Sequence, residues 1–303
     1  MHTSYIRPAR RDDFPRIAAL IDGQNKTPET QCLISGEGAE SIHRQMVAYA
    51  NVSEICFALA VGDDDGRLVG AFGSEFDEEL GRGWLWGPFV LAGHLEPLAS
   101  ALFEELLEIL PPTVRQLDSF LHAANRQGHR FYLDHGFRKD CLAHVYVADR
   151  PETPLALSEP CPAFEHRDAE ALIALHDATF PNTYETGPGM IAKIDAAHQV
   201  FVWTAGEDVL GYVYATVAEG STEGCVDFLG VRADARRRGL GRRLLLTALK
   251  WLFDIRQVVQ VSLAVYDDQT PARSLYEAAG FRLKHSGWSY RRDLTGLYKI
   301  SSR

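Results

Sequence analysis

Apolar and polar positions follow one order of elements twice along this chain. IRPARRDDFPRIAALID opens with an extended segment and turns into an amphipathic helix from about Asp12; FEHRDAEALIALHDATF does the same from about Asp168, with Ala171, Leu172 and Leu175 at helical spacing. FALAVGDDDGRLVGAFGSEF and FVWTAGEDVLGYVYATV then each predict a hairpin, two apolar strands joined by an acidic or glycine turn. Each half continues with an apolar strand (WLWGPFVLA; VDFLGV), a long helix (Leu95–Leu110; Leu240–Phe253), a further strand (LDSFLHAAN; VVQVSLAVY) and a short helix ending in Gly-Phe (HRFYLDHGF; ARSLYEAAGF). Tyr132, Gly136, Phe137 and Arg138 recur as Tyr276, Gly280, Phe281 and Arg282, which makes internal duplication the economical reading.

Asp149 to Ala163, DRPETPLALSEPCPA, separates the repeats. Four prolines there remove amide donors and restrict the residues before them, so the stretch reads as an extended connector. The domains expected are 1–150, a linker at 151–162, and 163–303, both of α/β class.

With 303 residues, 46% of them hydrophobic, the chain is large enough for two cores without metal or disulfide support. No apolar run is long enough to span a membrane, and the first residues lack the apolar core of a secretory signal. Five scattered cysteines, never spaced Cys-x-x-Cys, fit a reducing cytoplasm rather than a disulfide framework or zinc cluster. Eleven histidines show no paired ligand spacing, so no metal is expected. The net charge of −10 disfavours a general nucleic-acid binder, although residues 232–243 concentrate six arginines.

That basic segment carries the first chemical signal. CVDFLGV runs into RADARRRGLGRRLLLTALKWLF: a strand, a turn with Gly239 and Gly241, then an amphipathic helix. Glycines allow close backbone approach, and amides at a helix N-terminus point at anionic oxygens. Arg236, Arg237, Arg238, Arg242 and Arg243 add positive potential. Neither a Walker loop nor a dinucleotide fingerprint is present. After another strand comes Gln269-x-x-Ala272-x-x-Leu275-Tyr276-Glu277-x-x-Gly280-Phe281.

These two segments together resemble the GNAT acyltransferase superfamily, whose pyrophosphate loop is Arg/Gln-x-x-Gly-x-Gly/Ala and whose downstream signature is Asn-x-x-Ala-x-x-Leu-Tyr-Glu-x-x-Gly-Phe. Only the Asn differs, as Gln269. The likeness covers about 163–293; the first half matches more weakly, through its opening segment and Asn125-x-x-Gly128-x-x-Phe131-Tyr132-x-x-x-Gly136-Phe137. Two such domains in tandem are similar to the arrangement in mycothiol synthase and its relatives. The resemblance implies twisted mixed sheets flanked by helices, each with two central parallel strands that splay apart, and acyl-CoA lying in the gap. It implies that Leu229, Gly230 and Val231 meet the pantetheine arm, that Arg236, Arg237, Arg238, Gly239, Leu240 and Gly241 hold the pyrophosphate, and that Gln269 sits near the cofactor. Tyr276 would protonate the departing thiolate; its bland alternative is core packing.

Acyl transfer to an amine also needs the nucleophile neutral. The position where some relatives carry a glutamate is Ala264, so Asp227 is the candidate base, placed by strand alternation on the face of Leu229 and Val231. An ion pair with an arginine is the competing account of this carboxylate, and water-relayed deprotonation would need no base at all. Tyr184 and Glu185, in the segment FPNTYETGPGM, and Tyr212 and Tyr214, on the hairpin, are candidate substrate contacts. Glu185, Glu219, Glu223 and Asp227 would favour a cationic acceptor. In the first half the arginine and Gly-x-Gly are missing, and Glu96 with Pro97 stands where amides should face phosphate, so cofactor binding there is expected to be lost; the Trp84-Leu85-Trp86 strand is expected to pack an interdomain core.

The leading expectation is an acetyl-CoA-dependent N-acetyltransferase of a small primary amine, monomeric or homodimeric, with chemistry in the second domain. The alternatives are a non-catalytic acyl-CoA sensor or scaffold and, third, a nucleic-acid module using the arginines.

Overall fold

The structure is a computed structural model that describes residues 4–62, 66–91, 95–153, 155–157, 159–206, 208–218 and 220–295. The chain forms two compact units, the first made of residues 1–143 with 286–303 and the second of 144–285. The division therefore falls away from the proline-rich stretch, inside two long strands.

In the first unit the order is β1 (Ser4–Pro8), α1 (Phe14–Asn25), α2 (Ala39–Asn51), β2 (Ile55–Gly62), β3 (Leu68–Asp77), β4 (Arg82–Val90), α3 (Leu95–Ile109), β5 (Gln116–His122), α4 (Arg126–Asp134) and the start of β6 (Arg138–Asp149). Strands β1 to β4 are antiparallel neighbours, and β4 runs parallel to β5. The second unit takes the end of β6 and then α5 (Ala169–Thr179), α6 (Gly187–Ala192), β7 (His198–Ala205), β8 (Asp208–Val217), β9 (Glu223–Val231), α7 (Leu240–Lys250), β10 (Gln260–Tyr266) and α8 (Thr270–Ala278). Here β7, β8 and β9 are antiparallel neighbours and β9 runs parallel to β10. Strand β11 (Arg282–Asp293) returns to the first unit, where Gly287–Asp293 pair antiparallel with Gln116–His122 of β5.

The strand after each signature helix thus serves the opposite unit. The end of β6 borders β10, with Gln260 Nε2 donating to Asp149 Oδ1 at 2.6 Å, while β11 closes the edge of β5. A strand added at an edge satisfies amides and carbonyls that would otherwise stay unpaired.

Both halves start their first helix with the same device. Buried Asp13 accepts from the Arg10 amide at 2.8 Å, and buried Asp168 accepts from the Glu165 amide at 3.3 Å. Helices then cover both faces of each sheet. In the second unit Leu172, Leu175 and Met190 of α5 and α6 pack with Tyr212, Tyr214 and Phe228, whereas Leu244, Leu245, Leu249 and Leu252 pack with Val213, Ala215 and Val226 on the other face.

Candidate functional site

In both units the parallel pair separates almost as soon as it forms. Strand β9 pairs with β10 only through Glu223–Cys225 against Gln260–Ser262, and β4 pairs with β5 only through Arg82–Trp84 against Gln116–Asp118. Beyond those residues each pair opens a wedge between its central strands.

The second unit's wedge has a polar edge. Arg232 N donates to Leu210 O at 2.8 Å, so positions 232 and 230 exchange hydrogen bonds with β8 while Leu229 and Val231 turn their backbone groups toward the opening. Their side chains pack against α7. Arg236 Nε donates to Val231 O at 3.0 Å, so this arginine's side chain folds back on the strand. Gly230 leaves the room that the Tyr212 ring fills: an added Cβ would lie 2.6 Å from that ring.

At the strand's end Arg237 (φ +59°) and Gly239 (φ +82°) adopt left-handed conformations that turn successive amides into a concavity opening on the N-terminus of α7. Among the described residues, the amides from Arg237 to Arg242 have no backbone acceptor. Leu240 begins the helix, and Gly241 permits it to approach α8, since an added Cβ would meet Leu275 at 3.3 Å. Arg232 is held by Asp208 and Asp234, and Arg243 lies over Trp203 and bonds Glu159. Arg237, Arg238 and Arg242 form no ion pair among the described residues. Free amides, a helix N-terminus and three available guanidinium groups fit a diphosphate.

Gln269 is the residue before α8, but its amide bonds the Asp268 carboxylate at 3.0 Å instead of capping the helix. Its first-unit counterpart Asn125 does cap, accepting from Gly128 N at 2.9 Å. The extra methylene of Gln269 carries the amide past the helix end. Tyr276 is buried with its ring against Phe281, and among the described residues its hydroxyl has no hydrogen-bond partner. Burial pushes its pKa to about 12, so it stays protonated at neutral pH.

Asp227 is not on the face that simple alternation assigns. Ala215 pairs with Val226 and Tyr214 with Phe228, leaving Asp227 as the extra residue of a β-bulge. The bulge turns its carboxylate to the side opposite Leu229 and Val231, where Thr216 Oγ1 donates at 2.7 Å and the Tyr184 hydroxyl at 2.8 Å. No arginine pairs with it among the described residues. Burial raises its pKa, and the bonds from Thr216, Tyr184 and Cys225 offset part of that rise. Tyr184 is an exposed residue overall, yet its hydroxyl end is enclosed. That enclosure and the neighbouring carboxylate push the hydroxyl's pKa well up.

The other proposed substrate contacts are placed differently. Tyr212 is fully buried and its hydroxyl engages His176 Nδ1 at 2.6 Å, so it faces the core rather than an acceptor. Tyr214 is also buried, its ring stacked on Phe228 and near that of His198. Glu185 is folded inward onto Lys193, which neutralises it, and Glu223 stands at the closed end of the wedge. Glu219 lies outside the described residues. His176, Thr216 and Cys225 were missed by sequence reasoning; only their period-2 and helical placement hinted that they share a face with Asp227.

The first unit's wedge is filled by its own chain. Cys32 bridges to Leu121, Leu33 N donates to Phe120 O at 2.8 Å, and His122 N donates to Gln31 O at 3.2 Å. Across the gap Cys32 Sγ reaches Leu85 O at 3.6 Å, and the Tyr132 hydroxyl donates to Gly87 O at 2.7 Å. Leu85 and Trp86 pack in this unit's own core instead of the interdomain core expected for their strand, because the alternation of β4 turns them onto the first unit's own apolar residues. Residues 92–94 and the Glu96 side chain lie outside what is described, so the loop reading in this half rests on Pro97, an exposed residue of the first turn of α3. No helix among the described residues is long and apolar enough to cross a membrane, and no cluster of metal-binding side chains occurs among them.

Comparison with known proteins shows likenesses in sequence and in fold. Residues 165–281 match the model of the Acetyltransferase (GNAT) family. A GCN5-related N-acetyltransferase from Sphaerobacter thermophilus shares the fold over 96% of each chain, with a TM-score of 0.71 at 19% identity. A tandem GNAT protein from the clavulanic acid biosynthesis pathway aligns over 96% of this chain and 99% of its own, with a TM-score of 0.64 at 14% identity. Among curated proteins, the PanD regulatory factor of Salmonella typhimurium is 29% identical over 99 residues, 33% of this chain and 76% of that protein.

Proposed function

We propose that this tandem GNAT-fold chain is an N-acetyltransferase that moves the acetyl group of acetyl-CoA to a primary amine, with the chemistry in the second half. One contrast carries the reading: the second unit's wedge ends in unpaired amides and available arginines, whereas the first unit's wedge is occupied by residues 31–33.

In this scheme the amides of Arg237 to Gly241 and the side chains of Arg237, Arg238 and Arg242 hold the diphosphate. The backbone edge at Leu229 and Val231 aligns the pantetheine arm. Bound acetyl-CoA supplies the activated acyl carbon. Asp227 takes a proton from the acceptor's ammonium, the freed amine adds to the thioester carbon, the C–S bond breaks as Tyr276 gives its hydroxyl proton to the leaving sulfur, and the proton shed by the new amide nitrogen returns to the Tyr276 phenolate. The raised Asp227 pKa brings the carboxylate nearer to that of the group it deprotonates. In this reading the acceptor binds on the Tyr184 side of β9, while the pantetheine arm follows that strand's open backbone edge.

Calorimetric titration with acetyl-CoA tests the cofactor site. Wild type binds; Gly239→Glu and Gly241→Glu each put a carboxylate into the anion cradle and weaken binding at least tenfold, about 1.4 kcal/mol. Unchanged affinity in both variants would refute the site.

The likeness to a regulatory factor supports a second reading, an acyl-CoA sensor without turnover. Free-thiol release over a panel of amines separates the two. An enzyme releases CoA, and Tyr276→Phe slows this at least tenfold without changing acetyl-CoA affinity; a sensor binds and releases none.

A further inference from the structure

The geometry points to His176 as a positioning residue: its buried imidazole pins the loop 180–186 so that Tyr184 rests on Asp227. The inference rests on the reading of Asp227 and Tyr184 as the acceptor side of the site. His176 lies on α5 with no solvent exposure. Nε2 is 2.9 Å from the Glu185 carbonyl, which can only accept, so Nε2 carries the proton and donates. Nδ1 is then the acceptor for the Tyr212 hydroxyl at 2.6 Å. Both ring nitrogens are used, one by β8 and one by the backbone next to Tyr184.

The contacts continue to the reacting group. Tyr184 stands one residue before the pinned carbonyl, its ring 5.0 Å from Phe228 and its hydroxyl on Asp227. Phe228 also meets the His176 ring at 4.9 Å and the Phe180 ring at 5.1 Å, so the imidazole is walled on its open sides. The loop's far end has separate anchors: Thr186 accepts from Gly189 N at 3.0 Å, and Gly187 sits so close to Ile173 that a Cβ would be 3.0 Å from its Cα. Cutting the His176 bond therefore frees the middle of the loop without detaching α6. None of these contacts involves the anion cradle, so their loss acts on the acceptor and spares the cofactor.

Three variants test this: His176→Leu, which removes both bonds; His176→Gln, whose amide nitrogen can take the place of Nε2; and Tyr212→Phe, which keeps the fold safe by removing only a hydroxyl. Hydrogen exchange at amides 182–186 reads the pin without requiring turnover. Acceptor KM and acetyl-CoA affinity read its consequence. His176→Leu is expected to speed exchange there at least tenfold and raise acceptor KM at least fivefold with acetyl-CoA affinity unchanged. His176→Gln is expected to restore most of both, and Tyr212→Phe to fall between. Unchanged exchange in His176→Leu and Tyr212→Phe overturns the pin. Faster exchange with unchanged acceptor KM, or with KM and acetyl-CoA affinity altered alike, overturns its role in positioning. A wild type that transfers no acetyl group refutes the reading of the site, while exchange still decides the pin.

Discussion

Asp227 shows how one extra residue in a strand redirects a functional group. An unbulged β9 would bury this carboxylate against α7; the bulge hands it to Thr216 and Tyr184. Sequence alternation finds the acid but not the bulge, because two-for-one pairing is set by the partner strand and leaves no local signature at Asp227. Asp227→Asn should lower kcat by about 100-fold or more with acetyl-CoA affinity intact. The acid limb of the wild-type kcat/KM profile should lie above the ordinary carboxylate range, since a base acts only when deprotonated and burial raises this pKa. An acid limb at about pH 4, the ordinary aspartate value, would contradict the assignment. Glu75 in the first unit offers a parallel case unrelated to catalysis. Burial pushes its pKa to about 8, against bonds from Trp86 and Tyr49. The folded state then binds a proton that the unfolded state has already released, so stability falls as pH rises from about 4.5 to about 8. Glu75→Gln should flatten that decline, measured as urea midpoints between pH 5 and 9.

At the scale of elements, α2 and α6 escaped the sequence pattern, but the other helices, read from about Asp12 and about Asp168 at the start of each half, and most strands were legible from periodicity. Two strands were not: β6 and β11 follow the signature helices in sequence, and an alternating strand reads the same whichever sheet edge receives it. Tyr290 of β11 makes the exchange testable. It is buried in the first unit, stacked on Tyr132 with centroids 5.4 Å apart, and its hydroxyl meets His129 Nδ1 at 3.0 Å. Tyr290→Ala should cost the first unit about 3 kcal/mol although the residue lies in the second repeat. Exchange-protected amides in β2 and β3 should lose protection by that amount, while those in β8 and β9 keep theirs.

For the molecule as a whole, the two units repeat one order of elements but differ at the wedge, which is filled by residues 31–33 in the first and bordered by unpaired amides in the second. Sequence reading singled out Gly239 and Gly241 in the second half and noted that the first half lacks their counterparts, but the filling of the first wedge was hidden. Residues 31–33 carry no motif, and their backbone bonds to β5 arise only from tertiary pairing. The same asymmetry predicts one acetyl-CoA per chain. Native mass spectrometry at saturating ligand should show a single addition, and two would mean that residues 31–33 yield their place.

Because each unit borrows its final strand from beyond the proline-rich stretch, the peptide bonds between Pro151 and Pro162 are not what makes this protein one object. A protease nick there would leave two pieces, neither with a complete fold, each carrying a strand the other lacks. Expressed separately they should be insoluble; expressed together they should co-purify as a working pair, so a chain that looks severable at its most obvious hinge is instead a natural two-piece lock.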